Sequence, residues 1–517
     1  MFSVPRNIQA GLKDDVIKIL VSNVKAPEDL AEDVPLIEGT ETVSSYNWLA
    51  EHEVECDVPT IQVPGAPPIL HLHASMDSMQ LQPDSGTHFI DQNASRMKGK
   101  SGLIPGLAAC YAYKKDFDIT DYDVVTDRNN LIKLFELIEL SAVETKDEGR
   151  PPTSTPWRAP SIAAAASRRA RGGMHSLHPA FQKLGSRRGG GIESMDRRAE
   201  KTRIDVDIVS GYNHETGEYI YDDKSPKQTL VLTRWEYKNE EVVDPATDFR
   251  GFGHSFLTET RRFLSFEEGR VNYKGPDDVT GFHCLVGYKL FGMKLLVRYH
   301  ADACDMTREQ FIKWISEDAI RDLSDPETDS GSDSEEGSED NTLCESPTTD
   351  TFDLLDAFKT LSVKTEDTSR VSHVHHSSTG DNADGATLPK IPMGIVQTPN
   401  TIFPADRILQ VKTRGIKTGL NREVLFRQLF FSQTRKVFVA YHSRGLFVKE
   451  NRSQEDIMKE MTGWAKDNKE IFKKLVSLFM EIKNKVGRAG GKGAVGFLLK
   501  KNASDDPVVL DIQSRTD

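Results

Sequence analysis

Ile408-Leu409-Gln410-Val411-Lys412-Thr413 reads as a short buried strand that carries two polar side chains. Alternate residues of a strand point to the same face, so Gln410 and Lys412 stand side by side. About a hundred residues upstream, Leu295-Leu296-Val297-Arg298-Tyr299-His300-Ala301-Asp302 reads as a second such strand. By the same rule it puts His300 and Asp302 on one face. An acid from one strand beside a polar-x-Lys from another suits metal-dependent phosphodiester hydrolysis. Carboxylate oxygens hold a hard cation, the cation polarises the phosphate and activates water, and lysine stabilises developing negative charge. Each residue also has a plainer role: Asp302 as a strand-end cap, His300 as a satisfied histidine, Lys412 at a solvated edge.

These strands need a body to hold them. Asp123 to Arg128 predicts a strand leading into a helix whose stripe is Leu131, Leu134, Phe135 and Ile138. Strands are predicted over 203–209 and 228–235, and a helix over 253–264 with Leu257 in the core. Cys284 to Leu290 and Met293 to Asp302 form a predicted hairpin around Phe291-Gly292. After the 408–413 strand come a helix through Leu425, Leu429 and Phe430, then a strand pair either side of Ser443-Arg444-Gly445. A long helical pair follows, capped at Ser453, with Leu475, Leu478, Phe479, Ile482 and Val486 on its stripe and Gly490 and Gly491 at its end. The order predicts an α/β protein with a central mixed β-sheet and flanking helices.

Composition divides the chain further. Hydrophobic residues make up 37% of the 517, too few for a fully packed chain of this length. From Glu317 to Asp340 acids outnumber bases by ten, and the polar run continues to about Leu388. That composition predicts disorder, with Phe352 to Leu361 as a short helix inside it, either a transient turn or a docking element. From Arg150 to Lys201 bases outnumber acids by eight in Gly- and Ala-rich sequence. This second insertion reads as a solvated segment or as a phosphate-tracking arm. The expected division is therefore 1–142, 203–316 and 401–488 as the body, 143–202 and 317–400 as disordered insertions, and 489–517 as a tail. No run of about 18 apolar residues is present, so no membrane-spanning helix is expected. The start lacks the layout of a secretory signal. Five scattered cysteines without a CxxC pair argue against a zinc cluster and suit the cytosol or nucleus. Four Asp-Asp pairs each lack the third aspartate of a DDxxD diphosphate site.

Five pieces, in order, resemble the motifs of the decapping and 5′-end exoribonuclease family (DXO/Rai-type). They are Asp123 to Arg128 with its following helix, Gly253-His254-Ser255-Phe256-Leu257, His300-Ala301-Asp302, Gln410-Val411-Lys412-Thr413 and Phe431-Ser432-Gln433-Thr434. Ser45-Tyr46-Asn47-Trp48, Pro64-Gly65-Ala66-Pro67-Pro68 and Gln92-Asn93-Ala94 resemble a divergent fungal subgroup. The resemblance covers about 44–142, 203–302 and 405–484. It implies a PD-(D/E)xK-nuclease-like fold and a divalent Mg²⁺ or Mn²⁺ site. It also implies hydrolysis at the 5′ end of incompletely capped RNA, with a 5′–3′ exoribonuclease as protein partner. Carried over residue by residue, it makes Asp302, Lys412 and Gln433 catalytic, Arg128 substrate-binding, and Asp302, His300 and Gln410 the metal ligands.

The departures carry as much information as the match. The family's helix glutamate stands here as Leu257, the first acid of its Glu-x-Asp strand as His300, and the glutamate before lysine as Gln410. One carboxylate with neutral donors holds Mg²⁺ weakly, although a neutral His300 suits Mn²⁺. The expectation is a weak or inactive decapping nuclease. The alternative is a non-catalytic scaffold that binds RNA ends or a protein partner.

Overall fold

The computed structural model describes residues 8–27, 34–49, 58–72, 77–98, 100–144, 201–267, 270–274, 279–314, 393–398, 401–498 and 508–516. Residues 145–200 of the basic insertion, residues 317–392 of the acidic insertion and the helix expected at 352–361 lie outside the described residues.

The architecture is mixed β-sheet with flanking helices, but two large sheets replace the single central one expected. The first has eleven strands and the second eight. Local rules explain much of the first. Val124–Asp127, Thr229–Trp235 and Met293–Ala301 are rich in β-branched and apolar residues and buried on both faces. Val124–Asp127 runs parallel to both of its neighbours, with Asp127 opposite Arg298 and Leu230 opposite Val124. The hairpin of Val279–Leu290 and Met293–Ala301 turns at Phe291 (φ 49°) and Gly292 (φ 83°). Two left-handed residues give the turn whose twist matches the strands.

One crossing between the two sheets runs through Asp302. The chain leaves the first sheet at Ala301 and enters the second at Ala303–Cys304, which pairs antiparallel with Ile408 and Leu409. Ile408–Gly415 in turn runs parallel to Lys436–Ser443, joined to it by the Arg422–Phe431 helix. Asn421 starts that helix by accepting a hydrogen bond from the Val424 amide, at 3.2 Å.

Several expected boundaries move. The 253–264 helix stops at Thr260, and Arg261–Glu267 is a strand. Ser453 lies within the Leu446–Asp456 strand and caps nothing; the Met458–Asp467 helix follows Ile457. The tail expected at 489–517 supplies Lys492–Leu498 and Val509–Arg515, both strands of the larger sheet. Val509–Arg515 pairs with Leu12–Leu20, so residues near both ends of the sequence share one edge. Gly394–Gln397, placed by composition in the acidic insertion, is a strand at the opposite edge, beside Thr60–Val63. Strand pairing there depends on a partner more than three hundred residues away, which a local composition window cannot register.

The helices seal the main core. Lys469–Arg488 buries Phe472, Leu475, Val476, Leu478, Phe479, Ile482 and Val486, an apolar stripe at helical spacing. Phe472 meets Phe430 at 4.5 Å and Phe135 at 4.8 Å between ring centroids, and Trp464 lies against all three.

Candidate functional site

Asp302 is buried where the two sheets meet. Its Oδ2 accepts the Val411 amide at 2.9 Å and the side-chain amide of Gln410. His300 Nδ1 lies 3.5 Å from Oδ1. The other end of the Gln410 amide, Oε1, accepts from Arg128 Nη1 at 3.1 Å. This orientation of the amide is the one that places donor against carboxylate and acceptor against guanidinium. Four of the six expected site residues, Arg128, His300, Asp302 and Gln410, are therefore in one hydrogen-bonded chain. Lys412, half-buried, acts on Asp302 through its charge.

Electrostatics follow from this packing. Burial by itself would raise the Asp302 pKa. The hydrogen bond and charge of His300, the charge of Lys412 and the Val411 amide outweigh it and hold the carboxyl well below its ordinary value. Burial pulls the Lys412 ammonium down to about 8 against the opposing pull of Asp302. Burial also lowers Arg128 and Arg261, and Asp302 opposes both shifts.

Arg128, Arg261, His300 and Asp302 line a cavity of about 440 Å³. Its basic lining consists of Arg128, Arg234, Arg261 and Arg298. Two of the four are neutralised. Arg298 pairs with buried Asp127 (Nη2 to Oδ1, 2.6 Å) and Arg234 with Glu236 (2.7 Å). Arg128 and Arg261 form no ion pair with a carboxylate among the described residues. Two imidazoles close one wall: His283 stacks on Tyr46 at 4.9 Å and meets His300 edge-on at 5.4 Å. Burial, then the charges of His300 and Arg298, push the His283 pKa far down, so it is neutral.

The three short motifs near the start of the chain brace this wall. Tyr46 Oη and Trp48 Nε1 both donate to Asn93 Oδ1, at 2.7 and 2.9 Å. Asn47 Oδ1 accepts from the Ala66 amide at 2.6 Å. Gly65 packs on this strand so closely that a Cβ would lie 2.4 Å from the Tyr46 carbonyl carbon, so only glycine fits.

One expectation fails. Gln433 is not brought to the site. It follows the Arg422–Phe431 helix in a left-handed conformation (φ 51°), and its amide bonds the Phe430 carbonyl and the Thr40 hydroxyl. Thr40 lies six residues before Tyr46 on the same strand, about 20 Å along it. Leu257, expected in the core, is half-buried: it packs against the core cluster that holds Phe256 and Phe438 and also lines the cavity. It stands on the Gly253–Thr260 helix, whose N-terminus is held by the buried Asp84 carboxylate; Gly253 N and Ser255 N donate to it at 2.9 Å each.

Some site residues were not singled out from the sequence. Arg298 had a usable signal, a charge inside an apolar strand, which demands a buried partner. Asp84, Arg261 and His88 had none, because their roles come from contacts with distant segments.

The residues do not fit the Mg²⁺ or Mn²⁺ that the resemblance implies. Such a cation needs several hard oxygen donors. Of Asp302, His300 and Gln410, one is a carboxylate, its Oδ2 is already taken by two N–H donors, and the Gln410 oxygen faces Arg128. Leu257 offers no donor. Among the described residues, no three His, Cys, Asp or Glu side chains converge as a metal cage.

A protein-family model described as a domain of unknown function (DUF8563) matches residues 14–148. No curated protein sequence matches the chain. Among solved structures the chain is similar to S. pombe Rai1 (9% identity, TM-score 0.39, covering 97% of this chain and 99% of that one). It is similar to Candida albicans Rai1 in complex with pU5-Mn²⁺ (9%, TM-score 0.39, covering 97% and 94%). It is also similar to K. lactis Dxo1 in complex with manganese (7%, TM-score 0.38, covering 97% and 98%).

Proposed function

We propose that this chain is a non-catalytic relative of the DXO/Rai-type, PD-(D/E)xK-like decapping nucleases that binds RNA 5′ ends. The observation that carries the reading is the Gln410 bridge. Where the resemblance expects a glutamate and a cation, a neutral amide ties Asp302 to Arg128. The bridge satisfies Asp302 without metal and leaves the Arg128 guanidinium uncompensated by a paired acid. With Arg261 it gives the cavity two cationic forks suited to a terminal phosphate. A volume of about 440 Å³ falls within the range of small-ligand pockets. The reading includes a 5′–3′ exoribonuclease as protein partner, from the resemblance, and a nuclear or cytoplasmic setting, from the scattered cysteines.

The test is anisotropy with a short 5′-phosphorylated RNA and its 5′-hydroxyl counterpart, in chelator. Phosphate-dependent binding that survives chelation, with no cleavage in Mg²⁺ or Mn²⁺, is the expected result. Mn²⁺-dependent hydrolysis of 5′-triphosphate or incompletely capped RNA that vanishes in Asp302→Ala would overturn it in favour of a working nuclease.

A further inference from the structure

The Gly253–Thr260 helix presents His254 and Leu257 to the cavity, with Arg261 immediately after it. His254 and Leu257, three residues apart, fall on one helix face, and Arg261, at the start of the following strand, lines the same cavity with its Nε 3.4 Å from the Leu257 carbonyl oxygen. The three side chains form a single strip: an imidazole, an apolar side chain, a guanidinium. His254 is exposed on the cavity side, and its ring is backed by His88, stacked at 4.0 Å between centroids with 21° between planes. Paired flat rings beside an aliphatic group make a surface with no fixed charge, at the position where the resemblance expects a metal-binding glutamate. Asp84 clamps the start of the helix and holds the strip in place.

From this geometry we infer that the His254–Leu257 strip is a nucleobase-stacking platform, and that the cavity takes the first nucleotide of a 5′-phosphorylated single strand. The inference rests on the phosphate-binding reading above and adds to it the recognition of the base. The base lies on the His254 ring and against Leu257, while its 5′ phosphate lies toward Arg261 and Arg128. From His254 to Arg261 the chain rises about 10 Å along the helix direction, a span bridged by one nucleotide and an arginine side chain. Stacking of this kind accepts any base, since each has a π-face. Burial and the neighbouring His88 lower the His254 pKa, which keeps the upper ring neutral and the stack free of charge repulsion at neutral pH.

The experiment compares the full chain's affinity for a short 5′-phosphorylated RNA with that for the same RNA abasic at its first position. Loss of the base should weaken wild-type binding about tenfold. His254→Ala should weaken binding of the intact RNA about tenfold and leave the abasic RNA unchanged, while His254→Phe should restore discrimination. Equal affinity of the wild type for both RNAs, with the phosphate requirement intact, overturns the platform and leaves the phosphate reading standing. Absence of any phosphate-dependent binding overturns both.

Discussion

The side-chain amide of Gln410 donates to Asp302 Oδ2 and accepts from Arg128, so one neutral group joins an acid and a base that lie 174 residues apart in sequence. Hydrogen bonds from Gln410 and Val411, with the charges of His300 and Lys412, keep Asp302 ionised.

Gln410→Glu replaces a donor with a second acceptor against Asp302. Two carboxylates at hydrogen-bond range repel, and one must take up a proton or turn away. The variant should lose about 1–3 kcal/mol of stability, read as a fall in urea midpoint. Adding Leu257→Glu and His300→Glu should create a cation site, seen as a Mn²⁺-dependent rise in Tm. The unaltered protein should give no calorimetric Mg²⁺ signal.

Charge at this site sets two pH windows. Asp302 has its folded pKa held below the unfolded value of about 3.9. Its stabilisation is present above that value and is lost as pH falls through the folded pKa. Asp302→Asn should remove this part of the acid limb of the stability curve. Lys412 runs the opposite way. Its folded pKa of about 8 lies below the unfolded value, so the unfolded state binds more protons between those two pH values. Stability should rise with pH across that window, and Lys412→Met should flatten the rise. An NMR titration of the Lys412 side chain should place its midpoint near 8; an ordinary lysine midpoint would contradict the burial argument.

Asp84 caps a helix from 169 residues away. Asp84→Ala leaves two amides of the first turn unpaired and should cost about 1–2 kcal/mol. Because that helix carries His254 and Leu257 and leads into Arg261, RNA affinity should fall with it. Asp84→Asn retains an acceptor and should show the smaller loss by the same melting and anisotropy measurements.

Arg261→Gln removes a guanidinium with no paired acid among the described residues. Binding of 5′-phosphorylated RNA should weaken about tenfold or more, and the dependence of affinity on salt should become shallower by about one phosphate contact. Binding of 5′-hydroxyl RNA should barely change. Equal losses for both RNAs would place Arg261 away from the terminal phosphate.

Phe472 is fully buried among Phe135, Phe430, Phe431 and Trp464. Phe472→Ala should cost about 3–5 kcal/mol, measured by denaturant unfolding. Phe472→Leu should recover much of that by filling most of the volume.

Much of this was legible in the residues alone. Period-two spacing placed His300 with Asp302 and Gln410 with Lys412. Period 3.6 gave the stripes of the Arg128–Glu144 and Lys469–Arg488 helices, and Phe291-Gly292 marked the hairpin turn. These features are local: the side chains concerned lie within a few residues of one another. Tertiary structure decided the rest. It divided the strands between two sheets, with one crossing at Asp302, and it joined the strands near both ends of the sequence along a single edge. It sent Gln433 away from the site and drew in Arg261, His88 and Asp84. Those outcomes depend on which distant backbones pair, and pairing is set by the whole apolar surface to be buried rather than by any short window of sequence.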